Sequence, residues 1–143
     1  MEHITISRDD NLYEAFADIA KTGDGTLVVT YRESLMHGPR PFSRIVVRRS
    51  HDDGRTWGPK QTVIERTEEQ QEKGEGRLNC SRLMASTDGT LYLTVDILYK
   101  AEMEKDPCMI LLFRSTDNGS SWIGPQETGI TSGIVPSIKQ LSN

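Results

Sequence analysis

Cysteine is scarce in this chain of 143 residues: Cys80 and Cys108 are the only two, with neither a Cys-x-x-Cys spacing nor a histidine cluster beside them. A disulfide framework and a zinc site are therefore not expected, and both thiols read as reduced and structural. Long apolar runs are missing too, since no stretch approaches the roughly 20 residues a membrane-spanning helix needs. The opening "MEHITISRDD" lacks the charged-then-apolar layout of a secretory leader. The expectation is a cytoplasmic product with no membrane partner; the alternative is a secreted parent whose leader lies outside this chain. A basic excess is absent, with 17 Lys and Arg against 21 Asp and Glu, so no nucleic-acid partner is expected. Arg44, Arg48 and Arg49 belong to an alternating, strand-like stretch among acidic residues. No cofactor motif or metal-ligand cluster appears, which leaves the expected cofactors and metals at none. Helical periodicity is nearly absent as well. The 35% hydrophobic and 27% charged composition is that of one soluble globular domain.

What the chain does have is a repeat. "GDGTLVVTY" at Gly23 to Tyr31 is matched by "TDGTLYLTV" at Thr87 to Val95, with Asp24 and Asp88 standing 64 residues apart. "SHDDGRTW" at Ser50 to Trp57 returns as "STDNGSSW" at Ser115 to Trp122, 65 residues on, and Gly58-Pro59 returns as Gly124-Pro125 after 66. Three independent landmarks keep one register, and a fixed period of this length is the mark of a repeat architecture.

Each repeat holds short segments rich in Val, Ile, Leu, Thr and Tyr, bounded by glycine turns, which predicts antiparallel strands. The first set is about Tyr13 to Lys21, Thr26 to Glu33, Ser43 to Arg49 and Gln61 to Glu65. The second is about Asn79 to Ala85, Thr90 to Leu98, Cys108 to Arg114 and Gln126 to Ile130. Asp-Gly at 24/25 and 88/89 supplies the positive backbone angles of a tight hairpin. Arg66 to Gly76 is polar throughout and reads as a loop rather than an amphipathic helix. Four strands in an up-and-down meander make one blade of a β-propeller, and one blade alone cannot hide both faces. In the Trp turns, Gly54 and Gly119 permit the turn, while Ser50, Asp52, Ser115 and Asp117 bond nearby backbone. Trp57 and Trp122 anchor them to the apolar layer. His51 and Asp53, which at first sight look like chemistry, are the positions that vary between the two copies and read as solvent-facing.

With both Trp turns matched, the chain resembles the Asp-box, or bacterial neuraminidase repeat, proteins, whose members include the sialidases with their six-bladed propeller. The resemblance spans about Tyr13 to Ser142 and implies an all-β fold of about two four-stranded antiparallel blades of a sialidase-like propeller, six-bladed when complete. Residues 1–143 would then form a partial propeller, with blade one at about 11–66, blade two at about 77–131, and the start of a third at about 134–143. "HITIS" reads as an outer strand of a preceding blade. Six blades need about 390 residues at this period, so the expectation is a piece of a longer propeller, with a ring assembled from several chains as the alternative. Unpaired blade faces and strand edges favour self-association.

The resemblance implies glycoside hydrolysis for the family, yet its catalytic residues do not carry over. Where sialidases place an Arg-Ile-Pro element, this chain has Ala15, Phe16 and Ala17. The positions of a second family arginine and the acid/base aspartate fall on Ser34 and Pro39. The tyrosine and glutamate nucleophile pair belongs to later blades. What remains is a glycan-binding or structural and assembly module, with an exo-acting glycoside hydrolase completed by oligomerisation as the alternative. Strand topology puts the starts of first strands, the ends of second strands and the loops after them at one end. Candidates there are Tyr13, Glu14, Arg32, Glu33 and His37 in blade one, and Arg77, Asn79, Arg82 and Asp96 in blade two. Glu33, His37 or Asp96 would be the acid or base, and Arg32, Arg77, Asn79 and Arg82 would hold an anionic glycan. The plainer alternative is that these charges are solvated or paired with one another. Cys80 would be a nucleophile only beside a partnered base.

Overall fold

A computed structural model describes residues 3–37, 41–99, 108–131, 133–134 and 137–141; Pro39 and residues 135, 136, 142 and 143 of the expected third blade lie outside these. Eight strands form among the described residues: β1 (Tyr13–Lys21), β2 (Leu27–Ser34), β3 (Phe42–Ser50), β4 (Gln61–Thr67), β5 (Arg77–Ala85), β6 (Leu91–Leu98), β7 (Cys108–Ser115) and β8 (Ile123–Glu127). They build two four-stranded antiparallel sheets, ordered β1-β2-β3-β4 and β5-β6-β7-β8.

Local chemistry explains the hairpins. In the first turn Thr22 N–H donates to the Thr26 carbonyl at 2.9 Å and the Asp24 carboxylate accepts the Thr26 N–H at 3.0 Å. Ser86, Asp88 and Thr90 repeat this in blade two. Only the glycine of each Asp-Gly pair takes a positive φ, 91° at Gly25 and 86° at Gly89. The connection is thus a three-residue loop closed by a glycine rather than a turn with two left-handed residues.

Alternation along the strands sends one face of each sheet into a shared core. Val28, Ile45, Val47 and Ile64 of blade one meet Leu83, Leu91, Leu93, Val95, Leu111 and Phe113 of blade two. Each such side chain contributes about 1.5–3 kcal/mol by leaving water, so the blades hold each other. Polar groups tie the same interface: Thr30 Oγ1 meets Ser81 Oγ at 3.0 Å, and Ser43 Oγ accepts the Leu78 N–H at 3.0 Å. The inner strands share one irregularity. A bulge falls between Ala15 and Asp18 in β1 and between Leu78 and Ser81 in β5.

Three segments differ from their sequence reading. Residues 66–76 are not a plain loop: a helical turn (Glu68–Gln70) continues into a wider one (Gln71–Glu75). Its cause is a capping box, in which Thr67 and Gln70 exchange side-chain and backbone bonds, backed by Lys73 to Glu69 at 2.6 Å. "HITIS" forms no strand in its described part. The Ile6 carbonyl is taken by the Arg48 guanidinium instead, and Ile6 joins Trp57 over Val29, Tyr31 and Val46 on the face of blade one turned away from blade two. The described part of 134–141 forms no strand either; Gln140 Oε1 accepts the Thr87 N–H at 2.9 Å, and residues 138–141 run beside Met84 and Ala85.

Candidate functional site

The start of β1, the end of β2 and the start of β5 converge at one end of the two blades, because Tyr13 pairs with Ser34 and Arg77 with Leu98. Arg32 lies between the blades there with a relative exposure of 0%. Its Nη1 donates to Asn79 Oδ1 at 3.1 Å, whereas Nε and Nη2 meet no hydrogen-bond partner among the described residues. Arg32 also forms no salt bridge among those residues. Aromatic rings supply part of the missing solvation. The guanidinium carbon stands 4.7 Å from the centre of the Phe16 ring and 5.6 Å from that of Tyr13. His37 closes the ring cluster, edge-on to Tyr13 at 5.5 Å and tilted to Phe16 at 6.1 Å.

Burial lowers the Arg32 pKa from the usual arginine value, and the positive charge of Arg77 pushes in the same direction against opposing contributions from Cys80 and Tyr13. The guanidinium thus has no counterion among the described residues. Asn79 supplies a neutral acceptor, and the Asn79 amide also donates to Cys80 Sγ at 3.4 Å. Cys80 is buried there, while His37, the nearest candidate base, is engaged with the two rings.

Phe16 carries no sequence signal for this role. It sits inside the β1 bulge with φ 59°, a conformation that bulky residues rarely adopt. The bulge inserts one extra residue and re-aims the ring, which brings Phe16 over Arg32 from the middle of the Ala15, Phe16, Ala17 stretch.

The remaining candidates separate from this cluster. Glu33, next to Arg32 on β2, points to the opposite face of the sheet by strand alternation. There its carboxylate is buried, held by Arg44 Nε at 2.6 Å and Lys60 Nζ at 2.5 Å. Glu14 shares Lys60 at 3.0 Å and accepts the Ser7 hydroxyl at 2.6 Å. Burial alone would raise the Glu14 pKa, but the bonds from Ser7 and Lys60 outweigh it and leave it lowered. Both carboxylates are consumed in ion pairs. Asp96 occupies the repeat position of Arg32 and is likewise buried, but Val95 and Ile97 on either side face blade one. Asp96 therefore faces the far side of blade two, toward Cys108, whose pKa is raised by burial first and by the Asp96 charge second. Arg82 donates to the Ser81 carbonyl at 2.7 Å and pairs in register with Thr94, also on that far side. Of the sequence candidates, Tyr13, Arg32, His37 and Asn79 gather with Arg77 nearby, while Glu14, Glu33, Arg82 and Asp96 do not join them.

The two Trp turns form matching hydrogen-bond sets away from this end. Asp52 accepts the Thr56 N–H at 2.9 Å and hydroxyl at 2.6 Å, as Asp117 does from Ser121 at 2.8 and 2.6 Å. Ser50 Oγ accepts the Gly54 N–H at 2.8 Å, and Ser115 Oγ the Gly119 N–H at 2.9 Å. The indoles differ. Trp57 Nε1 donates to the Gly54 carbonyl at 3.1 Å, while the buried Trp122 Nε1 has no partner among the described residues. No group of three or more His, Cys, Asp and Glu side chains with metal-binding geometry occurs among the described residues. No helix among them is long and apolar enough to cross a membrane.

No protein-family model matches this chain, and no curated protein does. Solved structures do. A crystal structure of a protein from Dyadobacter fermentans DSM 18053, described as of unknown function, superposes with a TM-score of 0.64 at 23% identity, over 86% of this chain and 38% of that one. The Hadza microbial sialidase Hz136 also gives 0.64, at 19% identity, over 80% of this chain and 25% of its own. The chain spans well under half the length of either. At these identities the likeness concerns the fold: two open four-stranded sheets arranged as in a protein that is a sialidase.

Proposed function

We propose that this chain is the carbohydrate-binding part of a sialidase-like β-propeller and that the Arg32 end receives the carboxylate of an acidic sugar. The observation that carries the reading is the buried Arg32 guanidinium, with Nε and Nη2 left without hydrogen-bond partners among the described residues. A carboxylate engages two parallel N–H groups of a guanidinium better than any neutral group does. Arg77 adds a second positive charge, and the rings of Tyr13 and Phe16 hold the guanidinium in place. The binding reading is preferred to hydrolysis because Glu33 is locked by Arg44 and Lys60 and Asp96 faces the far side of blade two.

The test is a titration of the chain with glucuronate and with N-acetylneuraminate, followed by NMR shifts and thermal stabilisation, against their methyl esters. Binding of the acids but not the esters, lost in Arg32→Gln, supports the proposal. Equal response to acid and ester, or unchanged binding in Arg32→Gln, overturns it. Incubation with a fluorogenic sialoside addresses the hydrolase alternative, and turnover abolished by Arg32→Ala would replace the binding reading with it.

A further inference from the structure

The second Trp turn does more than close its own blade. Asn118 Nδ2 donates to Asp24 Oδ2 at 2.6 Å, reaching from blade two to the first hairpin of blade one. Two residues on, Ser120 Oγ accepts from Arg49 at the end of β3, and the Ser120 carbonyl accepts from Gln61 Nε2 at 3.0 Å. The rim contact between the blades is thus a carboxylate and a guanidinium on blade one, read by an amide and a hydroxyl on blade two.

The repeat reproduces one half of this contact on the outer rim of blade two. Asp88 is the counterpart of Asp24 and sits in the same turn, its Oδ1 engaged by Ser86 and Thr90 just as Asp24 Oδ1 is by Thr22 and Thr26. Arg114 is the counterpart of Arg49, immediately before the serine that opens the Trp turn. Both are exposed. Asp88 Oδ2 and the Arg114 guanidinium, the groups that bind Asn118 and Ser120 in the first copy, take no hydrogen bond among the described residues.

The other half of the contact differs in blade one. Its Trp turn has Asp53 where Asn118 stands and Arg55 where Ser120 stands. If blade one of a second copy displaced residues 138–141 from beside Met84 and Ala85 and docked on blade two in the register of the existing contact, Asp53 would meet Asp88 and Arg55 would meet Arg114. Both pairs are of like charge, and like charges placed opposite one another oppose association.

We infer that the Asp88–Arg114 rim is a docking surface for a further β-blade whose Trp turn presents an amide to Asp88 and a hydroxyl to Arg114, and that Asp53 and Arg55 bar blade one of a second copy from it. The occupant follows from continuity with the existing interface and from charge: the rim repeats the receiving half of a contact already made inside this chain. Self-association through strand edges is a separate matter, and the inference does not depend on the glycan reading of Arg32.

The test converts the first turn to the spelling of the second. Asp53→Asn with Arg55→Ser keeps the turn foldable, since asparagine accepts the positive φ of 55° at residue 53 at least as readily as aspartate. The Asp53–Lys21 ion pair that it removes is exposed at both ends. Sedimentation velocity is run on the natural chain, on this double variant, and on each with Asp88→Ala added. The expected result is head-to-tail association of the double variant, tighter than the natural chain by about tenfold or more because two like-charge contacts are relieved, and reversed by Asp88→Ala. Two results overturn the inference. One is a double variant that associates no more tightly than the natural chain. The other is association of the natural chain that Asp88→Ala weakens, which would mean that Asp53 and Arg55 pair crosswise with Arg114 and Asp88.

Discussion

Asp18 Oδ2 accepts the backbone N–H of Leu83 at 2.9 Å, so a side chain on the inner strand of blade one closes a main-chain bond on the inner strand of blade two, 65 residues away. Its Oδ1 accepts the Ile19 N–H at 2.9 Å. Asp18 directly follows the β1 bulge, and the bulge sets which face of the strand it serves.

Asp18→Ala removes a charged acceptor and leaves the Leu83 N–H without its partner at the blade interface. A loss of about 1.5–3 kcal/mol is expected, read as a lower urea midpoint with an unchanged slope. A change below a few tenths of a kcal/mol would show that the blades do not depend on this bond.

Arg32→Met should act in the opposite sense. A buried guanidinium with two nitrogens unpaired among the described residues costs stability, and an apolar side chain of similar length removes that cost, with an expected gain of about 1–3 kcal/mol. Asn79 loses one partner in exchange. Stabilisation joined to loss of acid-sugar binding would mark Arg32 as a residue kept for its ligand; destabilisation would mark it as structural.

Gly76, between the helical turn and β5, has φ 72°, and a Cβ there would run into Ile97 Cγ2 and stand 3.0 Å from the Tyr99 ring. Gly76→Ala is expected to cost about 2 kcal/mol or more through backbone strain and a clash in the core. Gly89→Ala, whose added Cβ meets nothing within 4 Å, serves as a control for φ strain without the clash. Thermal melts of the two variants separate the contributions.

Asp52 and Asp117 have pKa values lowered to about 2, chiefly by the Thr56 and Ser121 side chains and backbone N–H groups. In the unfolded chain an aspartate titrates near 3.9. Their stabilising contribution is therefore complete above about pH 4 and is lost as pH falls toward about 2, where the folded carboxylates take up protons. The melting temperature should fall across that window. Asp52→Asn and Asp117→Asn should each lower it at neutral pH and flatten the acid slope; an unchanged slope in both would contradict this assignment.

Much of the architecture is legible in the sequence because its causes are local. The Asp-Gly hairpins, the strand alternation and the serine and aspartate bonds of the Trp turns each operate within a few residues, and the constant spacing of the landmarks declares the repeat. The capping box at Thr67 and Gln70 is equally local, but it sits in a polar stretch with no apolar face to mark a helix. The site is different, since its outcome depends on partners far along the chain. Glu33 and Arg32 are adjacent in sequence, yet alternation sends Glu33 to Lys60 and Arg44 on one face and Arg32 to Asn79 on the other. An extra residue in β1 brings Phe16 over the guanidinium, and no local pattern announces a bulge. The sequence by itself determined two blades and their turns, because hydrogen bonds and apolar periodicity within each repeat suffice. Only the tertiary structure decided which charges are spent in ion pairs, as Glu33 is with Lys60 and Arg44, and which are buried without one among the described residues, as Arg32 is, because that depends on which face of one blade is pressed against the next.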